Sequence, residues 1–304
     1  MKKRRAVRAW LALVVLGGLC ACQGGDPGPR GTGDEGDAAP PDGAAGVDAI
    51  PAPPAMPFVT DAQGRVLILH GANVVGGAKS SPYYPQVTRE QILRLSADWG
   101  FNFARVLILW AGVEPAAGTI DEVFLDRVEE RLDWFHEAGI LVLLDMHQDV
   151  YSEFTCGDGA PLWAVRTDDL PIRCPAQWFL GYFEPGVQRA FDNFWDATGP
   201  HADLQERYVA MWVAVAERFR DHPAVMGYDL MNEPHPGTAF DIPEALGMGA
   251  REDSPSPAFD RERLQPFYQR LIDAIRTVDS DRWIAFEPRY GAPGNGEPAF
   301  FTEL

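Results

Sequence analysis

The sequence predicts an α/β fold of (β/α)8 TIM-barrel type, with about five of the eight β/α units of such a barrel inside its 304 residues. Three observations lead there. Apolar runs of strand length alternate with longer stretches of helical periodicity, the order expected of a parallel sheet built from β/α units. The runs are apolar throughout, which suits strands buried on both faces. Each ends abruptly in polar or aromatic side chains, at the strand end where a parallel barrel builds its active site. The clearest case is Val225-Met-Gly-Tyr-Asp-Leu-Met-Asn-Glu-Pro-His-Pro-Gly237. Its apolar part gives way to Asn232-Glu233, and Pro234, which cannot donate to a ladder, stops the strand.

Three regions are expected. Residues 1–22 read as an export signal: a basic start, then an apolar run from Ala9 to Leu19 that is too short for a typical spanning helix. Leu19-Cys-Ala-Cys22 resembles a bacterial lipoprotein processing site, with Cys22 as the lipidated residue; ordinary secretory cleavage nearby is the alternative. Residues 23–56, rich in Gly, Pro, Ala and Asp, read as a disordered tether. Residues 57–304 then form one large domain, for which a hydrophobic content of 46% is ample. The protein is expected to be exported and either lipid-anchored to the cell envelope or secreted, and monomeric. A formal charge of −18 argues against nucleic acid and against broad attraction to anionic lipid, and suits a neutral substrate.

Within that domain, Phe58–Leu69 suggests a hairpin around Asp61–Gly64 leading into the first barrel strand. The loop from His70 to Lys79 lacks the Lys-Ser/Thr of a phosphate cradle. Thr88 and Gln91 form a capping box, with Val87 and Ile92 as a hydrophobic staple, and Ile92, Leu95 and Trp99 share a face of the helix that follows. The next strand, Phe101–Trp110, carries Arg105 inside an apolar run. A buried guanidinium needs an anion, and Asp145 is a candidate. A helix from Asp121 to Gly139 faces inward through Phe124, Val128, Leu132 and Phe135, leaving His136 a bystander. The strand after it delivers His147, Gln148 and Asp149.

A long loop, 153–186, holds Cys156 and Cys174. In an exported chain these are expected to pair, and closure of such a loop stabilises by about 3 kcal/mol on the chain-entropy model; two free thiols are the alternative. Trp163 and Trp178 on this loop could wall a cleft or anchor the loop to the core. Helices broken at Gly199-Pro200 follow, the second with Tyr208, Trp212, Val215 and Phe219 facing the core. After the Asn232-Glu233 strand come an irregular segment, 237–257, a helix over 260–277, the strand Trp283–Glu287 and a loop over Gly291–Gly296. His-Glu-x-x-His and Cys-x-x-Cys patterns are missing, so neither a metal nor a cofactor is expected.

Asn232-Glu233-Pro234 at one strand end, Arg105 on an earlier strand and His147 on another resemble glycoside hydrolase family 5 of the retaining clan. Asp145-Met-His-Gln-Asp-Val-Tyr-Ser152, Gly157-Asp-Gly-Ala-Pro161 and Tyr228-Asp-Leu-Met-Asn-Glu-Pro234 resemble its endoglycoceramidase branch more narrowly, over residues 57–291. The resemblance implies a retaining O-glycosyl hydrolase cleaving the sugar–ceramide bond of glycosphingolipids, with a carbohydrate or glycolipid as partner and the membrane reached through Cys22. It makes Glu233 the general acid/base and Asn232 the ligand of the sugar 2-hydroxyl. Arg105 would orient the nucleophile, and Lys79, His147 and Asp149 would contact sugar; read structurally, these are an ion pair, a solvated loop cation and a loop-supporting pair. Leu246 and Met248 would meet the lipid. The family's nucleophile lies on the seventh strand, whereas this chain runs just past the fifth. Glu287, at a strand end, is of the right type, but by strand count reads first as a substrate or structural contact. A cellulase- or mannanase-type β-glycanase and a non-catalytic sugar-binding lipoprotein are the competing expectations.

Overall fold

The computed structural model describes residues 58–60, 63–242, 254–291 and 301. The expected export signal, Cys22, the tether, the hairpin tip at Asp61, and Leu246 and Met248 lie outside them. Five strands form one parallel sheet in sequence order: β1 (Gly71–Val74), β2 (Phe103–Ile108), β3 (Leu141–Met146), β4 (Val225–Asp229) and β5 (Trp283–Ala285). A doubly wound sheet would reverse its order at a switch point; an unbroken order is that of a barrel wall.

Helices run between the strands: α1 (Arg89–Trp99), the single turn α2 (Trp110–Val113), α3 (Glu122–Glu137), α4 (Pro185–Trp195), α5 (Asp203–Phe219), α6 (Ser256–Phe259) and α7 (Gln265–Arg276). Thr88 caps α1, and the reciprocal bond from Gln91 completes the expected box. Asp121 caps α3 by accepting from the Phe124 amide. Alternate strand residues divide between two faces. Val106, Ile108, Val142, Leu144 and Tyr228 are buried with the inner faces of α3 and α5. On the other face the register aligns Arg105 with Leu143, and Leu107 with Asp145, which in turn pairs Asp229. Arg105, Asp145 and Asp229 therefore project from the same side of the sheet, and the fold has already assembled one cation with two acids.

The core also reaches the strand ends. Tyr208 Oη and Trp212 Nε1 on α5 both donate to the carbonyl of Leu230 at 2.9 Å. Both rings are buried, each burial being worth about 1.5–3 kcal/mol. The packing of α5 thus fixes the chain two residues before Asn232.

Several expectations need correction. The apolar run Val66–Leu69 is not the first barrel strand: Ile68 is 81% exposed, and the strand begins at Gly71. A Cβ at Gly71 would lie 1.7 Å from the Phe103 carbonyl oxygen, so only glycine allows that approach to β2. The hairpin itself is present, through the antiparallel bridge between Thr60 and Val66. Trp99 is exposed and packs edge-on to Phe101 instead of sharing the inward face of Ile92. β2 ends at Ile108, with Trp110 opening α2, and β5 ends at Ala285, before Glu287. The helix expected from residue 260 starts at Ser256, passes through a π-helical stretch at Asp260–Leu264 and continues as α7.

Candidate active site

The ends of β2, β3, β4 and β5 converge on Arg105. Its Nη1 lies 2.9 Å from Asp145 Oδ2, its Nε 2.8 Å from Asp229 Oδ2 and its Nη2 2.6 Å from Glu287 Oε1. Nη2 also donates to Asn232 Oδ1 at 3.0 Å. The planar guanidinium suits this role because its five donors point in fixed directions. Arg105 stays charged: burial opposes the charge, but Asp145 and Asp229 outweigh it.

Asp145 Oδ2 also meets His147 Nδ1 at 2.8 Å, and His147 Nε2 lies 3.4 Å from Asp149 Oδ2, too far for a well-formed hydrogen bond. Burial disfavours the imidazolium, yet the hydrogen bond to Asp145 and the nearby Asp149 carboxylate prevail and push His147 up to about 9. Asp149 is bonded by the Lys79 ammonium, which also lies 3.7 Å from Asp158. Asp158 is brought in by a reciprocal backbone pairing with Asp149. Gly157 makes that pairing possible, since a Cβ there would stand 1.8 Å from the Asp149 carbonyl oxygen. His147, Asp149 and Asp158 each place a donor atom within 4.8 Å of the others, a spacing that could hold a cation. The Lys79 ammonium already supplies positive charge there, so a metal ion would have to displace it.

Glu233 differs from its neighbours. Among the described residues its carboxylate has no hydrogen-bond or ion-pair partner. Burial, then the charge of Asp149, raise its pKa, with His147, Lys79 and Arg105 opposing. Glu287 is pushed up to about 7 by burial and by Asp229, and Asp158 to about 6 by burial despite Lys79. Six carboxyl groups thus gather around Arg105, Lys79 and His147, and burial together with this excess of acid raises Asp158, Asp229, Glu233 and Glu287 above the usual carboxylate range.

Glu287 uses both oxygens on protein donors, Oε1 on Arg105 and Oε2 on the Glu233 amide at 2.8 Å. Trp163 stands apart from this network: its Nε1 donates to the Glu114 carbonyl and its ring meets Trp110 edge-on. Cys156 and Cys174 are joined, with their Cα atoms 5.5 Å apart. Sequence reasoning missed Asp229 and Asp158. Both lie inside motifs that carry the family resemblance but receive no role from it; an acid inside the apolar run 225–230 carries the same signal that singled out Arg105, whereas only the Gly157–Pro161 motif marks Asp158.

The family model described as Cellulase (glycosyl hydrolase family 5) matches residues 61–299. The chain belongs to glycosyl hydrolase family 5. Within the family it resembles endoglycoceramidases. It is 31% identical to the endoglycoceramidase of Cyanea nozakii over 258 residues, covering 75% of this chain and 49% of the relative. To endoglycoceramidase I of Rhodococcus hoagii (strain 103S) it is 34% identical over 246 residues, covering 77% and 47%. The crystal structure of endo-glycoceramidase II from Rhodococcus sp. superposes with a TM-score of 0.74 at 45% identity, covering 82% of this chain and 55% of that one. This family-5 chain spans about half the length of the curated relatives it matches.

Proposed function

We propose that the protein is a retaining glycosidase of the endoglycoceramidase type, with Glu233 as general acid/base. One observation carries the reading: Glu233 is a half-buried carboxyl of raised pKa, without a partner among the described residues, at the mouth where Arg105, His147 and Asn232 meet. A general acid must hold its proton near neutral pH and have it free for the leaving oxygen. Asn232, its amide oxygen held by Arg105, takes the sugar 2-hydroxyl. Lys79, His147 and Asp149 bind further hydroxyls. Arg105 orients the nucleophilic carboxylate that retaining hydrolysis requires, and Glu287 serves as a structural contact through its bonds to Arg105 and the Glu233 amide.

Apolar surface beside the site favours a glycolipid over a cellulose-like chain. His235, two residues beyond Glu233, stacks on Tyr182 with ring centroids 4.6 Å apart. The 3-10 helix containing Tyr182 (Trp178–Phe183) exposes Trp178, Phe179, Leu180 and Phe183. The Rhodococcus sp. enzyme, 44% identical over the matched region, has been solved as a complex with ganglioside GM3. Export and lipidation at Cys22 belong to the same reading, supported by the basic start, the short apolar run and Leu19-Cys-Ala-Cys22. A lipid anchor would keep such an enzyme at a membrane.

Glu233→Gln tests the assignment. Release of ceramide from a glycosphingolipid should fall at least about 100-fold while glycan binding persists. Undiminished turnover would remove Glu233 from the chemistry, and a wild type that binds glycan without cleaving it would favour the sugar-binding alternative.

A further inference from the structure

Because no group among the described residues holds the Glu233 carboxylate, its aim depends on its backbone. That backbone sits at φ +43°, in the left-handed region that side chains other than glycine seldom adopt. Two side chains from neighbouring strand ends grip this peptide. Glu287 Oε2 accepts from the Glu233 amide, 2.8 Å away. From β3, Gln148 Nε2 donates to the carbonyls of Asn232 and Glu233, at 3.0 and 2.9 Å. Gln148 Oε1 accepts from the Tyr151 amide at 3.0 Å, and the Gln148 carbonyl accepts from Asn232 Nδ2 at 3.0 Å. Gln148 is buried, and its loop is itself left-handed at Val150 and Tyr151.

We propose that Gln148 is a positioning residue: its carboxamide, opposite the Glu287 carboxylate, fixes the left-handed backbone of Glu233 and so aims the acid/base carboxyl. The catalytic consequence rests on the proposed role of Glu233; the clamp itself does not. The residue type follows from valence. One NH2 group supplies a hydrogen to each of two carbonyls while the adjacent oxygen accepts an amide proton. Ionised glutamate has no hydrogen to offer, and alanine would leave one buried and one part-buried carbonyl without that donor.

Gln148→Glu and Gln148→Ala, made in the full chain, provide the test. Hydrogen exchange at the Glu233 amide, read by mass spectrometry, should accelerate at least about tenfold in both variants, as expected when a local restraint is lost. Unchanged exchange in variants with wild-type melting profiles overturns the clamp, whatever Glu233 does. On a glycoside with an alkyl leaving group, which needs the proton, kcat/KM should fall roughly 100-fold with KM little changed. On a 4-nitrophenyl glycoside, which barely needs it, the loss should stay below about tenfold. The deficit of Gln148→Glu relative to wild type should shrink on acidification, as its protonated carboxyl regains one donor. Equal losses on both substrates, or a deficit independent of pH, would mean that Gln148 supports the fold without aiming the acid.

Discussion

Arg105 Nε and Asp229 Oδ2 lie 2.8 Å apart across the width of strand β3, whose Asp145 contacts the same guanidinium. One cation therefore ties three adjacent strands together just below the site, and Glu287 extends the tie to the chain following β5.

Replacing Arg105 by Met should leave Asp145, Asp229 and Glu287 crowded without their cation. Breaking a buried pair in this way typically removes about 3–5 kcal/mol of stability. Asp229 and Glu287, already raised by burial, would then have folded pKa values further above their unfolded ones. Their protonated forms then stabilise the fold at low pH, and that contribution is lost as pH rises. The deficit in unfolding free energy should consequently be smaller at pH 5 than at pH 7 in chemical denaturation. A deficit that does not change with pH would show that the guanidinium is not balancing these carboxylates.

His147 makes a prediction of opposite chemistry. Its folded pKa of about 9 exceeds the unfolded value near 6.5, so its contribution is complete below about pH 6.5 and is lost as pH rises through 9. The full effect is on the order of 3 kcal/mol. The stability difference between wild type and His147→Gln should therefore narrow over that interval. Denaturant titrations at pH 6, 7.5 and 9 would reveal it, and a constant difference would show that the imidazolium is not held by Asp145 and Asp149.

The Cys156–Cys174 bridge closes a segment with a sequence separation of 18. Loop-closure entropy puts its loss at about 3 kcal/mol. Calorimetry of the double Cys→Ser variant should show a lower Tm, whereas an unchanged Tm would mean that contacts such as Tyr151 Oη to the Ala164 carbonyl, 2.8 Å, already hold the loop.

Trp178 and Phe179, both exposed, offer a separate handle on lipid preference. Changing both to Ser should raise KM for a glycosphingolipid about tenfold, consistent with losing the burial of one or two apolar side chains, and leave a soluble aryl glycoside unaffected. Equal effects on both substrates would place these rings away from the lipid.

Much of this protein could be read from its sequence because the decisive signals are local. Apolar runs ending in polar pairs identified the parallel barrel wall, Thr88 and Gln91 marked the start of α1, and Asn232-Glu233-Pro234 located the strand end that carries the candidate acid. An arginine inside an apolar strand required an anion, and Asp145 is one of those the structure supplies. Tertiary structure decided the rest, through partners far away along the chain: Asp229 and Glu287 stand 124 and 182 residues from Arg105. It also moved the first strand to Gly71, since the close approach to Phe103 depends on a backbone that hydropathy does not describe. Hydrophobic periodicity specifies which face of an element is buried. Only packing of the strands in register determines which polar groups, such as Gln148 and the Glu233 carbonyl, meet beyond their ends.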